Sequence, residues 1–273
     1  MIPSTSSFHK IDVRRESSGL ILLKFGGSVI TFKEKPLSPN MECINHLSRI
    51  IASIDKPVII VHGGGSFGHY WSVKYEMHTK PARYDLKGVS VVHESMIALN
   101  ELLVKGLIES GAKPYSVMPS VFMHGLEPVT KRIEQLEAIA VGGAVPVTFG
   151  DIVHVAEQNY SILSGDALMT ILAEALLPSK VIFLVNVDGL YGDVGTQNII
   201  REINYETYKS ATFSKTTLDV TGGMNRKIEE GLKIAASGID VLLVNGLKPQ
   251  RVLNAINGCD FEGTLIRHEE RRG

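Results

Sequence analysis

Short, continuously apolar segments alternate with amphipathic segments along most of this 273-residue chain. The runs GLILLKF at 19–25 and KVIFLV at 180–185 are apolar on both of their faces for nearly their whole length. Such runs are typical of strands that are covered on both sides, whereas strands with one wet face alternate polar and apolar residues. The alternation therefore predicts an α/β protein with a parallel sheet that carries helices on both faces.

The elements follow from hydrophobic periodicity and from glycine, proline and polar breaks. The predicted strands are 19–25, 57–61, 113–118, 145–149, 152–155, 160–163, 180–185, 240–244 and 264–266. The predicted helices are 40–54, 85–111, 131–141, 165–177, 224–237 and 249–257. The strands at 152–155 and 160–163 flank a short polar turn and are expected to form a hairpin. Residues 1–18 predict a partly ordered leader, and residues 268–273 a charged tail.

Composition excludes several classes of protein. Lys and Arg number 28 against 29 Asp and Glu, and this balance argues against a nucleic-acid partner. No apolar run approaches the 18 or more residues of a membrane span, and no signal peptide is expected at the N-terminus. The two cysteines, Cys43 and Cys259, are expected to be reduced thiols in a cytoplasmic protein.

A glycine-rich loop, HGGGSFGH at 62–69, follows the predicted strand 57–61. Its glycines satisfy GxGxxG, but a dinucleotide fold also needs an acidic residue about 20 residues further on, where this chain has the basic stretch 78–83. A P-loop is excluded, since His69 and Tyr70 replace its Lys and Ser or Thr. Glycines that expose backbone N–H groups before a helix starting near Ser66 favour a phosphate site. The alternative is a tight strand-to-helix turn.

Lysines accompany further glycine pairs. Lys24 lies near the end of a buried strand, where its charge is costly unless it faces an anion, and Gly26 and Gly27 follow it. Lys33 comes a few residues later, and on spacing alone a solvated loop lysine is the better explanation of it. Lys227 is predicted in the first turn of the helix after Gly222-Gly223, where it opposes the helix dipole. An ordinary surface lysine remains the alternative there.

Two polar turns complete the set. Ser164-Gly165-Asp166 opens a predicted helix, and Asp188-Gly189 follows a buried strand. Asp166 could be a helix cap and Asp188 a turn residue. Because ligands bind at the carboxyl ends of strands in open α/β sheets, these loops and lysines together predict a nucleoside triphosphate and a second anionic ligand. Such equipment suits phosphoryl transfer, in which positioning and charge neutralisation supply most of the rate.

These motifs also carry a resemblance to known proteins. KFGGS at 24–28, SGD at 164–166, VDGLY at 187–191 and TGGMxxK at 221–227 resemble the amino-acid kinase superfamily. KFGGSVITFK at 24–33, HGGGSFGH at 62–69 and DVTGGM at 219–224 resemble the isopentenyl phosphate kinases within it. The resemblance implies an open αβα sandwich, a homodimer and a single domain at 19–267. Its acceptor-binding lobe would span about 19–177 and its ATP-binding lobe about 178–267.

The resemblance also implies roles for individual residues. Those implied to contact ATP are Lys24, Gly26, Gly27, Ser28, Gly65, Asn186, Tyr191, Gly223 and Lys227. Those implied to hold the acceptor phosphate are Gly64, His69 and Gly165. Lys33 and Lys227 would grip the transferred phosphoryl group, and Asp166 would orient the lysines. Lys24, Lys33, His69, Asp166 and Lys227 form the implied catalytic set, with no protein ligand to a metal.

The implied reaction converts ATP and isopentenyl phosphate into ADP and isopentenyl diphosphate, in isoprenoid biosynthesis by an alternative mevalonate route. ATP and Mg²⁺ are the expected cofactors, and an alkenyl phosphate is the expected small-molecule partner. The apolar tail needs a dry pocket, for which Val89, Val92, Ile152 and Ile162 are candidates. Ordinary core packing is expected for at least one of these four residues.

One departure and two rival functions stay open. The family usually has Asp where this chain has Asn186, which replaces a carboxylate near the nucleotide with a neutral amide. A kinase for another small phosphate or phosphonate, of the fosfomycin-resistance type, would carry a similar glycine loop. A nucleotide-binding sensor of the same fold without catalysis is the other alternative. The presence of Lys24, Lys33, His69 and Lys227 argues against it, because a protein that does not catalyse the transfer could lose any of them.

Overall fold

The structure is a computed structural model that describes residues 19–192, 198–210 and 222–268. The predicted leader at 1–18 and residues 269–273 of the predicted tail lie outside these ranges, so both stay predictions.

Within the described ranges, the strands fall into one large sheet and three small ones. In chain order they are β1 (Ile21–Phe25), β2 (Val58–His62), β3 (Ala82–Arg83), β4 (Pro114–Ser116), β5 (Met123–His124), β6 (Glu127–Pro128), β7 (Val145–Phe149), β8 (Asp151–Ala156), β9 (Asn159–Leu163), β10 (Lys180–Val185), β11 (Leu190–Tyr191), β12 (Ile199–Ile200), β13 (Glu202–Ile203), β14 (Val241–Asn245) and β15 (Gly263–Ile266).

The helices lie between these strands. They are α1 (Gly27–Ile30), α2 (Met41–Ala52), α3 (Gly65–Lys74), α4 (Leu86–Glu109), α5 (Pro119–Phe122), α6 (Thr130–Val141), α7 (Gly165–Leu176), α8 (Tyr205–Ser210), α9 (Gly222–Ala236) and α10 (Pro249–Asn257).

The large sheet has eight strands in the order β13-β15-β14-β10-β1-β2-β7-β4. The six strands from β14 to β4 are parallel to one another. Strand β15 pairs antiparallel with β14, and β13 pairs parallel with β15 at the edge. The prediction of a largely parallel sheet is therefore confirmed, with one reversed edge that the sequence pattern does not show.

The side chains of the central strands point alternately to two apolar layers. Leu22 and Phe183 pack on one face with residues of α6, α7 and α9. Leu23 and Ile182, which pair in register, pack on the other face with residues of α2, α4 and α10. Both faces are thus covered by helices, which explains why these strands are continuously apolar.

The elements predicted from the sequence are all present, with bounds that differ by no more than two residues. The expected hairpin is formed by β8 and β9, and β3 adds a third antiparallel strand to it. Several very short elements, such as β3, α5 and β11, were not predicted, because a segment of two to four residues shows no periodicity of its own. The division into two lobes near residue 177 stays a prediction.

The parallel pairing brings the ends of four strands together. The Gly63 amide donates to the carbonyl of Phe25 at 2.9 Å, and the Gly150 amide donates to the carbonyl of His62 at 3.1 Å. The Gly26 amide donates to Leu184 at 3.1 Å. The glycine-rich segments that follow β1, β2, β7 and β10 therefore meet at one edge of the sheet. No helix in the described ranges is long and apolar enough to cross a membrane.

Helix α4 provides a test of the two-layer core. Leu103 is fully buried in the layer that contains α2, whereas Leu86 at the start of the same helix is 63% exposed. We expect Leu103→Ala to lower the free energy of unfolding by about 2–5 kcal/mol, because it leaves a cavity. Leu86→Ala should change it by less than about 0.5 kcal/mol. Urea unfolding of both variants measures the difference, and equal effects would contradict this packing.

Candidate active site

A cleft of about 1740 Å³ opens at the edge where the four strands end. Its walls come from the loops after β1, β2 and β7, from α3, α4 and the start of α7, and from α9. Of the residues predicted for the site, those that line the cleft are Lys24, Gly27, Ser28, Lys33, Gly64, Gly65, His69, Val92, Ile162, Gly165, Asp166, Gly223 and Lys227. The structure thus brings together segments that are more than 200 residues apart in the chain.

Two glycine loops touch each other through their backbones at the base of the cleft. A Cβ atom added to Gly27 would overlap the backbone of Gly65. Gly65 itself has φ +47°, a left-handed conformation that glycine adopts without strain, and a Cβ there would overlap the Thr31 hydroxyl. The Thr31 hydroxyl instead accepts a 2.9 Å hydrogen bond from the Ser66 amide. The glycines are therefore required by the close approach of the loops after β1 and β2.

A buried carboxylate holds two lysines at the centre of the cleft. The Nζ atom of Lys24 lies 2.6 Å from Oδ1 of Asp166, and Nζ of Lys227 lies 3.5 Å from Oδ2 of the same carboxylate. Lys24 is only 3% exposed. Lys227 also donates to the carbonyl of Gly223 at 3.1 Å. Two ammonium groups share one carboxylate, so this cluster of Lys24, Asp166 and Lys227 has a net positive charge that suits an anionic ligand.

The electrostatics of the cluster follow from its burial. Burial alone would raise the pKa of Asp166, but Lys24 and Lys227 outweigh it and hold that pKa below its usual value. Burial lowers the pKa of Lys227 to about 8, and the neighbouring charge of Lys24 contributes in the same direction. In the free protein, Lys227 therefore loses its proton more readily than an ordinary lysine. An anion that binds beside it would raise its pKa again and favour the charged form.

Helix starts add backbone donors to the cleft. Helix α7 begins at Gly165, and the Ser164 side chain caps it by accepting from the Ala167 amide at 3.1 Å. The cap of this helix is therefore Ser164 and not Asp166, whose carboxylate pairs with Lys24 and Lys227. Helix α3 begins at Gly65 and carries no side-chain cap. In α3 the Ser66 amide donates to Thr31 and the Phe67 and Gly68 amides donate to the Gly64 carbonyl. The donors that these starts can offer to an anion are therefore the very first N–H groups, those of Gly65, Gly165 and Asp166.

Lys33 and His69 lie at the mouth of the cleft. Both side chains are exposed, Lys33 in the loop after α1 and His69 in the second turn of α3. Lys227 lies in the second turn of α9, because this helix begins at Gly222, two residues before the predicted start. The expectation that Lys227 occupies a first turn was therefore wrong. Thr221, directly before this helix, lies outside the described residues.

The four candidates for an apolar tail pocket divide into two pairs. Val92 and Ile162 line the cleft. All four belong to one small apolar cluster with Met77, and Val89 and Ile152 are the two that do not line the cleft. Val89 precedes Val92 by nearly one helical turn of α4, so both side chains lie on the same side of the helix, with Val92 buried and Val89 half-buried. Their placement matches ordinary packing for Val89 and Ile152.

Three predicted nucleotide contacts lie away from the lining of the cleft, as far as the described residues show. The Gly26 amide is used by Leu184 between strands. Tyr191 pairs with Ile199 in the β11–β12 hairpin. Asn186 is exposed and accepts a 3.1 Å hydrogen bond from the Ser28 hydroxyl, which ties it to the loop after β1. Asp188, a predicted turn residue, pairs with Arg251 and accepts from Asn245 at 2.7 Å.

Sequence reasoning missed several residues of the cleft. Met96 of α4 lines it beside Gly64, and Arg226 lines it beside Lys227. Asp151 also lines it and forms an ion pair with His93 from α4. Asp151 comes directly after Gly150 at the end of a predicted strand. This position, at the carboxyl end of a strand, could have indicated that Asp151 lies in the cleft. His93 gave no such signal, because its partner is 58 residues away.

The fold and the cleft define a class of α/β proteins that bind phosphate groups at the carboxyl edge of a mainly parallel sheet. The model of the amino acid kinase family matches residues 19–245, and the chain belongs to this family. The chain is similar to isopentenyl phosphate kinases from two organisms. The Thermoplasma acidophilum protein is 34% identical over 91% of this chain and 100% of its own length. The Methanothermobacter thermautotrophicus protein is 30% identical over 90% of this chain and 98% of its own.

Solved structures give the same result. A product complex of T. acidophilum isopentenyl phosphate kinase superposes with a TM-score of 0.75 at 31% identity, covering 91% of this chain and 100% of that one. A substrate complex of an isopentenyl phosphate kinase superposes with a TM-score of 0.74 at 32% identity, covering 91% and 99%. The resemblance seen in the sequence motifs and the expected αβα fold are both confirmed.

The lowered pKa of Lys227 predicts a dependence on pH. Below about pH 8 the free protein carries a charged Lys227, and above it the charge is lost. Because the specificity constant kcat/KM reports the ionisation of the free enzyme, kcat/KM for the nucleotide should fall as pH rises through about 8. Bound phosphates favour the charged lysine, so the limb in kcat should lie at higher pH. Initial rates between pH 6 and 10 measure both limbs.

Lys227→Arg is the control for this assignment, because a guanidinium stays charged throughout that range. The alkaline limb should disappear from kcat/KM in this variant. A limb that persisted unchanged would assign the titration to another group.

Proposed function

We propose that this protein is an ATP-dependent kinase that phosphorylates isopentenyl phosphate to isopentenyl diphosphate, a step of isoprenoid biosynthesis. The observation that carries the proposal is the cationic cluster of Lys24, Asp166 and Lys227 beside the two glycine loops. Its support is the similarity to isopentenyl phosphate kinases along about nine-tenths of the chain.

The cluster suits the charge that moves in the reaction. An oxygen of the acceptor phosphate attacks the γ-phosphorus of ATP, the bond to the β-phosphate oxygen breaks, and ADP leaves. Charge builds on the transferred group and on the departing ADP, and fixed cations there stabilise the transition state. Lys24 and Lys227 are held in place by Asp166, and the proposal adds Lys33 from the mouth of the cleft. Lys24 and Lys227 are therefore oriented before the phosphates bind, because both contact the Asp166 carboxylate.

The acceptor needs no strong general base. A phosphate monoester has a second pKa of about 6, so near neutral pH it is already mostly a dianion. His69 then serves as a hydrogen-bond donor that locates the acceptor phosphate, together with the amides of Gly64 and Gly165. Val92 and Ile162, which line the cleft, would cover the apolar tail. A phosphate at one end and an apolar wall at the other match an alkenyl phosphate.

The residues of the cleft fit ATP better than they fit a free metal ion. In the described ranges, no group of three or more His, Cys, Asp or Glu residues could hold a metal. Asp166 is occupied by two lysines. Mg²⁺ therefore enters the proposal only as the ion that ATP brings, with phosphate oxygens and water as its ligands. It would neutralise phosphate charge, while the lysines of this chain orient the phosphates.

The proposal includes a homodimer in the cytoplasm. Free thiols at Cys43, which is buried, and Cys259, which is exposed, support a reducing compartment. Sedimentation of the purified protein tests the dimer independently of its activity.

A panel of acceptors tests the proposed function. Isopentenyl phosphate and dimethylallyl phosphate should both react, because small changes in an apolar tail are worth only about 1–3 kcal/mol. Glycerol phosphate should be at least about tenfold poorer in kcat/KM, because its hydroxyl groups would be buried without partners. ADP release with each acceptor measures this. Preference for glycerol phosphate or for a phosphonate would point to another kinase, and nucleotide binding without turnover would indicate a sensor.

His69 separates acceptor binding from ATP binding. His69→Ala should reduce kcat/KM for isopentenyl phosphate about 10- to 150-fold, since a hydrogen bond to a charged group is worth about 1.5–3 kcal/mol. The apparent KM for ATP should change little. His69→Gln should recover part of the loss, because an amide still donates.

His124→Ala is the matched control for this series, since His124 is an exposed residue of the short strand β5. It should behave like the unmodified protein. Equal losses toward ATP and acceptor in His69→Ala, together with a lower melting temperature, would instead assign His69 a structural role.

A further inference from the structure

A buried carboxylate lies in the wall where the proposed acceptor phosphate would bind. Asp151 is the first residue of β8, is 4% exposed and lines the cleft. It pairs in register with Leu163, directly before the Ser164-Gly165 turn that opens α7. A negative charge at this position would oppose an anionic acceptor, and the proposed reaction gives it no task.

His93 of α4 neutralises this carboxylate. Its Nδ1 atom lies 2.6 Å from Oδ2 of Asp151, while the Ile152 amide donates to Oδ1 at 2.7 Å. The hydrogen bond to Asp151 raises the pKa of His93, which favours an imidazolium. Burial raises the pKa of Asp151, and the contact with His93 opposes that rise. The carboxylate is thus held by an imidazole that reaches it from a different element.

The pair also joins the two sides of the acceptor wall. Val92, next to His93, lines the cleft from α4. Ile162, which lies opposite Ile152 in the β8–β9 hairpin, lines it from the hairpin and packs in the same small apolar cluster as Val92. A contact between His93 and Asp151 therefore fixes the helix and the hairpin relative to each other at the proposed tail pocket.

We propose that His93 and Asp151 are a positioning pair for the acceptor, in which the imidazolium of His93 cancels the charge of Asp151 and so permits a phosphate monoester to bind beside it. The inference rests on the proposed function, because it assumes that the acceptor phosphate lies near Gly165. Neither residue takes part in the transfer itself. The pair acts on acceptor binding, and it leaves the ATP side of the cleft unchanged.

Other charges face the same cleft and are kept constant in the test. They are Lys24, Lys33, Glu34, His69, Lys74, Glu76, His78, Asp166, Arg226 and Lys227. A comparison at one pH near 7 keeps the solution conditions the same for every variant. Differences between variants then report the His93–Asp151 pair alone.

The test uses His93→Asn, Asp151→Asn and the double variant, with His154→Asn as the control. Asparagine keeps an N–H donor near the position of Nδ1 but carries no charge. His154 lies on the same strand as Asp151, and its ring contacts the carbonyl of Glu157 at the exposed end of the hairpin. For each protein we would measure kcat/KM for isopentenyl phosphate and for ATP, together with the melting temperature.

A charge-compensating pair predicts an unusual order of effects. His93→Asn should lower kcat/KM for isopentenyl phosphate about 10-fold or more, because it leaves a buried charge uncompensated beside the acceptor. Asp151→Asn should stay within about threefold of the unmodified protein, and the double variant should recover at least about fivefold over His93→Asn. Values for ATP and for His154→Asn should change less than about threefold.

Two outcomes would overturn the inference. A double variant as impaired as His93→Asn, or more so, would show that the pair only supports the fold. A His93→Asn variant with unchanged acceptor kinetics would show that Asp151 does not affect the acceptor.

Calorimetric binding of inorganic phosphate separates this inference from the proposed function. If the unmodified protein did not phosphorylate isopentenyl phosphate, the proposed function would fail. Weaker phosphate binding in His93→Asn that the double variant restores would still support the pair, and equal binding by all variants would refute it.

Discussion

The cleft depends on one buried carboxylate between two lysines. Without Asp166, Lys24 and Lys227 would lose the carboxylate that both contact, and burial would favour the neutral form of Lys227 still further. With it, Lys24 remains at a position that is almost inaccessible to water, at the end of a central strand. The carboxylate thus permits a β-strand, the start of α7 and a turn of α9 to bring their charges to one point.

The parts of this arrangement that depend on local sequence could be predicted. Gly26-Gly27 after β1 and Gly63-Gly64-Gly65 after β2 are visible as motifs, and parallel pairing places such loops at one edge. The apolar strands also predicted the sheet, because each of them has to be covered on both faces. The strand at β15 was predicted, but its antiparallel direction was not, because the pattern of four residues is the same in either direction.

The remaining features depend on tertiary packing. Val89 and Val92 look equivalent on α4, yet only Val92 is placed against the cleft, because packing on α2 and on the hairpin sets the rotation and depth of the helix. The His93–Asp151 contact joins a helix and a hairpin that no local pattern connects. Because α9 begins at Gly222, Lys227 lies in its second turn and not in the predicted first turn. The exact ends of helices are the feature that a sequence pattern defines least well.

The contact between Gly27 and Gly65 has a consequence for how such a protein can change over evolutionary time. Backbone packs directly against backbone there, so this contact between the two glycine loops has no side chain that substitution could vary. Variation is left to the outer walls, namely α3, α4 and the β8–β9 hairpin, whose side chains are replaceable without moving the loops. A family built on this contact can keep one phosphate-handling centre and acquire different acceptors by altering its periphery.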